Sequence, residues 1–499
     1  MKAKNLPPDP TCFLASFRSM GYIFNTALAD VLDNSLSAYA KNIHVTFRWN
    51  NGHPWVAIVD DGEGMTESVL ENAMRFGSQN PYENREKEDL GRFGLGMKTA
   101  SLSQCKNLTV CSKTNPKSWC AYQWDFEKII NGERNAWEVD QLEPNDYSED
   151  ETLQGVVSEY ISETSGTVVL WRNVDVIFAG CRNDKREVKF DEALSTASKY
   201  VEMIFHRFIN PGAGKKSVGF YFNGRKLSSF SPFGDPENPA RQDLPEEEIS
   251  VNNQIVKVRP FVLPHRSKTT ASDFAKHAED EGYLINQGFY VYRNGRLIEK
   301  ATWFRIRKKE EKTKLIRVQI DFPNSLDHEF RLDVAKSKII LPESLKQELR
   351  RIIDRISDAG KRVVEQRATP TRNTKIRPIW KRELNGKEAV YSINEEHLLI
   401  SDLLSNITIE QRSQLRGILK MITEGFPSPA FYSDFADDSR DVVTKSNETE
   451  TITNALRNYV ASMKESGMDH SEIKESLSAI EIPNISKQDI EIILNNLFL

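Results

Sequence analysis

Phe24, Leu28, Leu32 and Leu36 recur every fourth residue, so residues 22–40 are expected to form an amphipathic helix. Ile43, Val45 and Phe47 alternate with polar residues and predict a strand. Asn51-Gly52 predicts a turn, and residues 55–59 a returning strand. That strand runs into Asp60-Asp61-Gly62-Glu63-Gly64, after which a short helix is expected. Residues 78–90 are polar and unpatterned, and read as a mobile loop. Strand patterns return at 108–112, 121–124 and 167–171, and a helix at 187–209 closes the unit. This order lacks the regular strand–helix alternation of a doubly wound fold. Two hairpin patterns follow, GFYFNGRKL (219–227) and GFYVYRNGRLI (288–298), each with Asn-Gly between strand-like runs. A helix at 343–359 ends that region. Residues 361–381 read as a basic linker, with two prolines and little apolar period. The remainder is polar and expected to be mostly helical, interrupted near Pro427, Pro429 and Pro483.

Length and composition bound this picture. The 499 residues suggest two to four domains, and 39% hydrophobic residues suffice for real cores. No run approaches the ~18 apolar residues of a membrane helix. The start, MKAKNLPPDPTCF, has no apolar core of a secretory signal, so a cytoplasmic protein is expected. Cys12, Cys105, Cys111, Cys120 and Cys181 form no CxxC pair, which argues for a reducing compartment and against a structural zinc site. With 67 Lys and Arg against 72 Asp and Glu, the chain as a whole does not coat nucleic acid, though local basic patches remain.

Three motifs carry candidate chemistry. In ALADVLDNSLSA, Asp30 and Asn34 stand four apart and share a helix face. A carboxylate there could orient and deprotonate a water, and an amide oxygen could ligate Mg²⁺. Taken alone, such a pair is commonly a solvated face. The second motif, Asp60-x-Gly62-x-Gly64-Met65, ends an apolar strand. Its carboxylate can accept from an exocyclic amine, and its glycines can admit a ligand close to the backbone. The third, GRFGLGMKTAS (91–101), is a glycine-rich turn opening a helix, where backbone N–H groups bind phosphate. It is not a Walker A loop, because Met97 separates Gly96 from Lys98 and the preceding residues are charged. Nor does its glycine spacing fit a dinucleotide fingerprint.

In this order, and followed by Ser165-Gly166-Thr167-Val168-Val169-Leu170-Trp171, the motifs resemble the GHKL ATPase superfamily of gyrase B, heat-shock-ninety chaperones, histidine kinases and MutL. SFRSMGYIFNTALADVLDNSLSAYAKNI and QGFYVYRNGRLI resemble its MORC-like branch and bacterial relatives. The resemblance covers about residues 14–340. It implies an α+β fold in which residues 1–210 form a GHKL α/β sandwich (Bergerat fold). Residues 211–360 would be a ribosomal-protein-like transducer domain, 361–385 a basic linker and 386–499 a mostly helical C-terminal region. It also implies ATP and Mg²⁺ as ligands. Asp60 would bind the adenine amine, with Thr167 supporting it through water. Asn34 would hold Mg²⁺. Gly94, Gly96 and Lys98 would contact phosphates, and Gly62, Gly64, Met65, Leu95 and Met97 would line the same site. Asp30 falls where the family usually has a catalytic Glu, and its shorter side chain implies slow hydrolysis. In FRLDVAKSKIILPES (330–344), Lys336 would sense the γ-phosphate, with Lys338 the alternative, while Asp333 and Ser337 shape the loop.

Superfamily members use ATP to close a dimer, so a homodimer is the expected assembly, with residues before Tyr22 as an arm to the partner. Two classes of client compete. The basic segments 303–317 and 361–381, with Trp303, Phe304 and Trp380 among them, suit DNA backbone contact. A DNA-acting role, such as restriction or anti-phage defence, is one reading. A chaperone-like or scaffold ATPase with protein clients, reached through the C-terminal region, is the other. No His precedes His44, which argues against a histidine kinase, and no Cys/His/Glu cluster follows residue 390 to support a MutL-type nuclease.

Overall fold

The apolar positions of the first helix are met on almost every side. The computed structural model describes residues 9–18, 22–76, 96–114, 118–133, 137–160, 165–212, 214, 216–333, 335–365, 378–385, 388–428, 430–431 and 449–478. Pro10–Arg18 forms α1 and Phe24–Ser37 forms α2. In α2 the whole run from Thr26 to Asp33 is buried, acids included. The chain divides into two units, Met1–Val364 and Glu365–Leu499.

The first unit holds two sheets. In the first, β1 (Asn42–Arg48), β2 (Trp55–Asp60), β3 (Cys105–Lys113), β4 (Cys120–Asp125), β5 (Asp140–Leu142), β6 (Gly166–Val174), β7 (Gly219–Phe222) and β8 (Arg225–Lys226) lie in the order β5-β4-β3-β6-β2-β1-β7-β8. Strand residues alternate between two buried faces. Val56 and Ile58 of β2 join Leu28 and Leu32 of α2, Val110 and Trp171 in one core. Ala57 and Val59 join Cys111, Val168, Leu170 and the helix Glu151–Tyr160, through Leu153 and Val156, in another. Burial on both faces explains the nearly unbroken apolar runs of β2 and β6. β7 and β8, placed by the sequence beyond a boundary at 210, belong to this sheet, because β7 pairs in parallel with β1.

The second sheet contains β9 (Gln242–Asp243), β10 (Glu247–Val251), β11 (Gln254–Val262), β12 (Gly288–Arg293), β13 (Arg296–Thr302) and β14 (Ile316–Phe322), ordered β10-β11-β14-β12-β13 with β9 against β11. The expected Asn-Gly turns are made by Asn223-Gly224 and Asn294-Gly295, all four at positive φ. The helix Glu343–Glu365 covers this sheet with Leu345, Leu349, Ile352, Ile353 and Ile356, one stripe at helical spacing. Tyr290, Tyr292 and Leu297 instead enter the core of the first sheet, so the two sheets share packing.

One expectation changes here. Trp303 is 3% exposed, packs edge-on against Phe289 and donates its indole N–H to Gln287 at 3.2 Å. Arg317 and Lys314 are buried too. The aromatic half of the supposed DNA-binding pattern in 303–317 is therefore core, and its exposed cations are Arg305, Lys308, Lys309 and Lys312. The sequence could not show this, because the same alternation of bulk and charge serves a turn between two buried strands.

The second unit is more than helical. β15 (Trp380–Asn385) and β16 (Glu388–Ile393) form a hairpin, so the end of the expected linker is strand. The helices Leu398–Asn406, Ile409–Glu424, Thr449–Glu465 and His470–Ser478 follow. Thr408 and Gln411 form a capping box at the start of the second of these, which ends at Gly425 just before Pro427. No described helix is long and apolar enough to cross a membrane.

Candidate functional site

Acids inside a buried helix need partners, because an unpaired buried charge is costly. Asp30 is 1% exposed. Its Oδ2 accepts from the Tyr22 hydroxyl at 2.9 Å, and its Oδ1 lies 3.0 Å from Lys336 Nζ. Burial and the adjacent Asp30 raise the Tyr22 phenol above its ordinary value, which keeps it a donor. Asp33, one turn further and fully buried, accepts from Lys336 Nζ at its Oδ2 (2.8 Å), and its Oδ1 forms an ion pair with Arg296, 3.0 Å from Nε. Asn34 is exposed. The i, i+4 pair expected from the sequence is thus split between a buried acid and an open amide.

Lys336 reaches α2 from a tight loop after the second sheet. Its φ is +46°, left-handed for a residue with a side chain. The Asp333 carboxylate holds the loop, accepting from the N–H groups of Ser337 (2.7 Å) and Lys338 (3.0 Å) and from the Ser337 hydroxyl (2.9 Å). Lys338 itself is exposed. The structure therefore brings Lys336 to Asp30 and leaves Lys338 outside.

Asp60 ends β2 directly opposite Thr167 of β6, which is opposite Ser112 of β3. The three make a polar row across an apolar sheet. Asp60 Oδ2 accepts from the Ser35 hydroxyl at 2.8 Å and Oδ1 from the Gly62 N–H at 3.1 Å. Ser112 and Thr167 hydroxyls lie 2.9 Å apart, and Ser112 Oγ accepts from the Met65 N–H at 2.8 Å. Burial pushes the Asp60 carboxyl up to about 6, against the pull of its bonds from Ser35 and Gly62.

The glycines of this motif also serve close packing of the backbone. A Cβ on Gly64, at φ +69°, would lie 1.9 Å from the Lys113 carbonyl oxygen. One on Gly62 would lie 2.6 Å from the Ala38 carbonyl oxygen. They let the loop press against β3 and the end of α2. Beyond them, α3 (Glu67–Met74) is the expected short helix.

The third motif is partly described: α4 is Gly96–Leu102, while Gly94, Leu95 and the polar stretch 78–90 lie outside the described residues. A Cβ on Gly96 would stand 3.4 Å from Asp30 Oδ2, so this helix start faces the catalytic candidate. Met97 is half-buried against the core. Lys98 is 2% exposed and donates to the carbonyls of Ala73 (2.6 Å) and Arg75 (2.7 Å), closing the end of α3. Burial lowers its ammonium to about 8. In this arrangement its charge serves α3. The α1 arm folds on its own chain, where Arg18 donates to the Leu102 and Cys105 carbonyls at 3.1 and 2.8 Å.

Sequence reasoning missed Tyr22, Ser35, Ser112, Asp33 and Arg296. Asp33 stands beside Asn34 in the quoted motif, but nothing local reveals a partner 303 residues away.

A buried acceptor row, a buried acid facing the start of α4 and a lysine arriving from another sheet are thus gathered around α2. Residues 22–167 match the family described as histidine kinase-, DNA gyrase B-, and HSP90-like ATPase. This region is accordingly similar to GHKL ATPase domains. An 88-residue stretch is 27% identical to ATPase morc-1 of Caenorhabditis elegans, covering 18% of this chain and 10% of that protein.

Proposed function

We propose that the protein is a MORC-like ATPase that binds Mg-ATP beside α2, hydrolyses it slowly and thereby closes a homodimer acting on DNA. The observation that carries this reading is the seating of Lys336 on Asp30, across from the start of α4. A hydrolytic acid is thereby held next to a cation that a terminal phosphate can attract.

The residues fit an adenine nucleotide. Asp60 is a buried carboxylate that accepts only, as an exocyclic amine requires, and Thr167 and Ser112 stand in line with it. No cluster of three or more metal-ligating side chains occurs among the described residues. Mg²⁺ keeps waters and phosphate oxygens and needs little from the protein. Asn34, exposed one turn beyond Asp30, would supply its amide oxygen. Bound there, the ion would neutralise phosphate charge.

Asp30 cannot act as a base while Lys336 and Tyr22 occupy its oxygens. When the Lys336 ammonium turns to a terminal phosphate, Asp30 Oδ1 is freed to accept a proton from water. Gly94 and Gly96 would present N–H groups to the phosphates. Lys336 comes from the second sheet, so nucleotide state would reach that sheet through a contact that differs between states. The test is calorimetry with Mg-ATP and Mg-ADP on wild type and Asp60→Asn, with oligomeric state measured alongside. ATP binding that Asp60→Asn does not weaken would overturn the site, and an unchanged monomer would overturn closure.

A second reading keeps the ATPase and replaces DNA by a protein client. It is favoured by the helix Ile409–Glu424, where Ile409 is 82%, Met421 73% and Ile418 54% exposed.

A further inference from the structure

Four charged side chains meet at the join of the two sheets, each no more than 6% exposed: Asp30 and Asp33 from α2, Arg296 from β13 and Lys336 from its loop. Asp30 and Asp33 are three apart and share a helix face. The two cations do not divide evenly between them. Lys336 touches both acids, while Arg296 touches Asp33. Arg296 also donates to the Lys336 backbone carbonyl at 3.2 Å. It thus grips both the acid and the loop that carries the lysine.

This asymmetry matters if Lys336 is to move, and the argument rests on the functional reading above. When the ammonium leaves, Asp30 keeps the Tyr22 hydroxyl. Among the described residues Asp33 has no such neighbour apart from Arg296, and without it a fully buried carboxylate would be stranded. A buried charge of that kind is costly enough to pin the lysine in place. Arg296 also helps hold Lys336 at its positive φ, a conformation that persists only where surrounding contacts over-determine it.

We propose that Asp33 and Arg296 are positioning residues, the fixed half of a joint whose moving half is Lys336 and Asp30. The pair presets the Lys336 loop against α2 and lets its ammonium exchange Asp30 for a terminal phosphate without stranding a buried charge. Neither residue contacts the nucleotide. Both act through Lys336.

The experiment compares wild type, Lys336→Ala, the charge-balanced double variant Asp33→Asn with Arg296→Gln, and the triple variant combining all three. Each is assayed for Mg-ATP turnover and for Mg-ADP affinity. The double variant is expected to lose turnover on the order of 10-fold or more, as for a misplaced catalytic group. Its Mg-ADP affinity should stay within about twofold, because ADP has no terminal phosphate for Lys336, and the triple variant should be no slower than Lys336→Ala. A double variant at the wild-type rate, a matching loss of ADP affinity, or a triple variant slower than Lys336→Ala by the full factor of the double would overturn the proposal. Should the double variant not fold, Arg296→Lys decides. It keeps the pair with Asp33 but loses the planar guanidinium that also reaches the Lys336 carbonyl, so intermediate turnover supports the proposal and wild-type turnover sinks it. A wild type that binds no nucleotide, or a Lys336→Ala protein at full rate, would instead remove the functional reading, and this proposal with it.

Discussion

Asp60 shows how one residue's environment sets a testable pH dependence. Its carboxyl is held at about 6 by burial, well above the ordinary carboxylate range. Below that value it takes up a proton and no longer offers both oxygens as acceptors. Nucleotide affinity is therefore expected to fall as pH drops from 7 to 5. Asp60→Asn should cost about 1–3 kcal/mol of binding, by leaving a partner unpaired, and should flatten the dependence. Calorimetry across this range checks both, and equal affinities for the two proteins would remove Asp60 from the adenine site. The sign for stability is the opposite of the usual acid. A folded-state value raised above the unfolded one means the native protein binds the extra proton, so this group favours folding at low pH. That contribution declines as pH rises from about 4 toward about 6. Asp30 makes a second prediction at this scale. In Asp30→Ala, Lys336 keeps Asp33, so the site should still fold and bind ATP while hydrolysis stalls. Wild-type turnover in that variant would dismiss Asp30 as the base.

At the scale of elements, what could be read from the chain was what local pattern encodes. The spacing of Phe24, Leu28 and Leu32 marked α2, the alternation in β1 marked a strand, and the Asn-Gly turns were visible because positive φ selects those residues. The helix Glu151–Tyr160 was missed, since it buries only Leu153 and Val156 fully and has no strong stripe. Of the site, the acceptor at Asp60 and the acid at Asp30 were legible as motifs. Asp33 and Arg296 were not, because their roles depend on two elements far apart in sequence. Gly64 was legible as a glycine motif, but its close approach to β3 was not, and this gives a prediction. Gly64→Ala puts a Cβ into the Lys113 carbonyl, whereas Gly132, at a similar φ of +72°, has nothing within 4 Å. Gly132→Ala should cost only about 1 kcal/mol, the backbone penalty alone. Gly64→Ala should cost several-fold more and lower the melting temperature visibly. Equal melting temperatures for the two variants would show that the loop moves off β3 at no cost.

At the scale of the whole molecule, the proposed ATPase needs a client. The fold withdraws Trp303 from the argument for DNA, and with it base stacking by that indole. What remains is exposed positive charge, and charge alone makes a distinct forecast. Phosphate contacts release counterions, so affinity should fall with salt at a log–log slope of about −0.9 per neutralised phosphate, without sequence preference. Arg305, Lys308 and Lys312 are exposed, so replacing all three by Glu should leave the fold intact. If the segment binds DNA, that variant should bind every sequence more weakly and reduce the slope by about three contacts. Fluorescence anisotropy on duplexes of differing sequence, between low and moderate salt, measures both quantities with and without ATP. Unchanged affinity and slope would move the site elsewhere on the protein. Absence of DNA binding by the wild type at low salt would leave the protein-client reading. In that case Met421→Ser with Ile418→Ser, which removes exposed apolar surface from the helix Ile409–Glu424, becomes the variant expected to lose its partner.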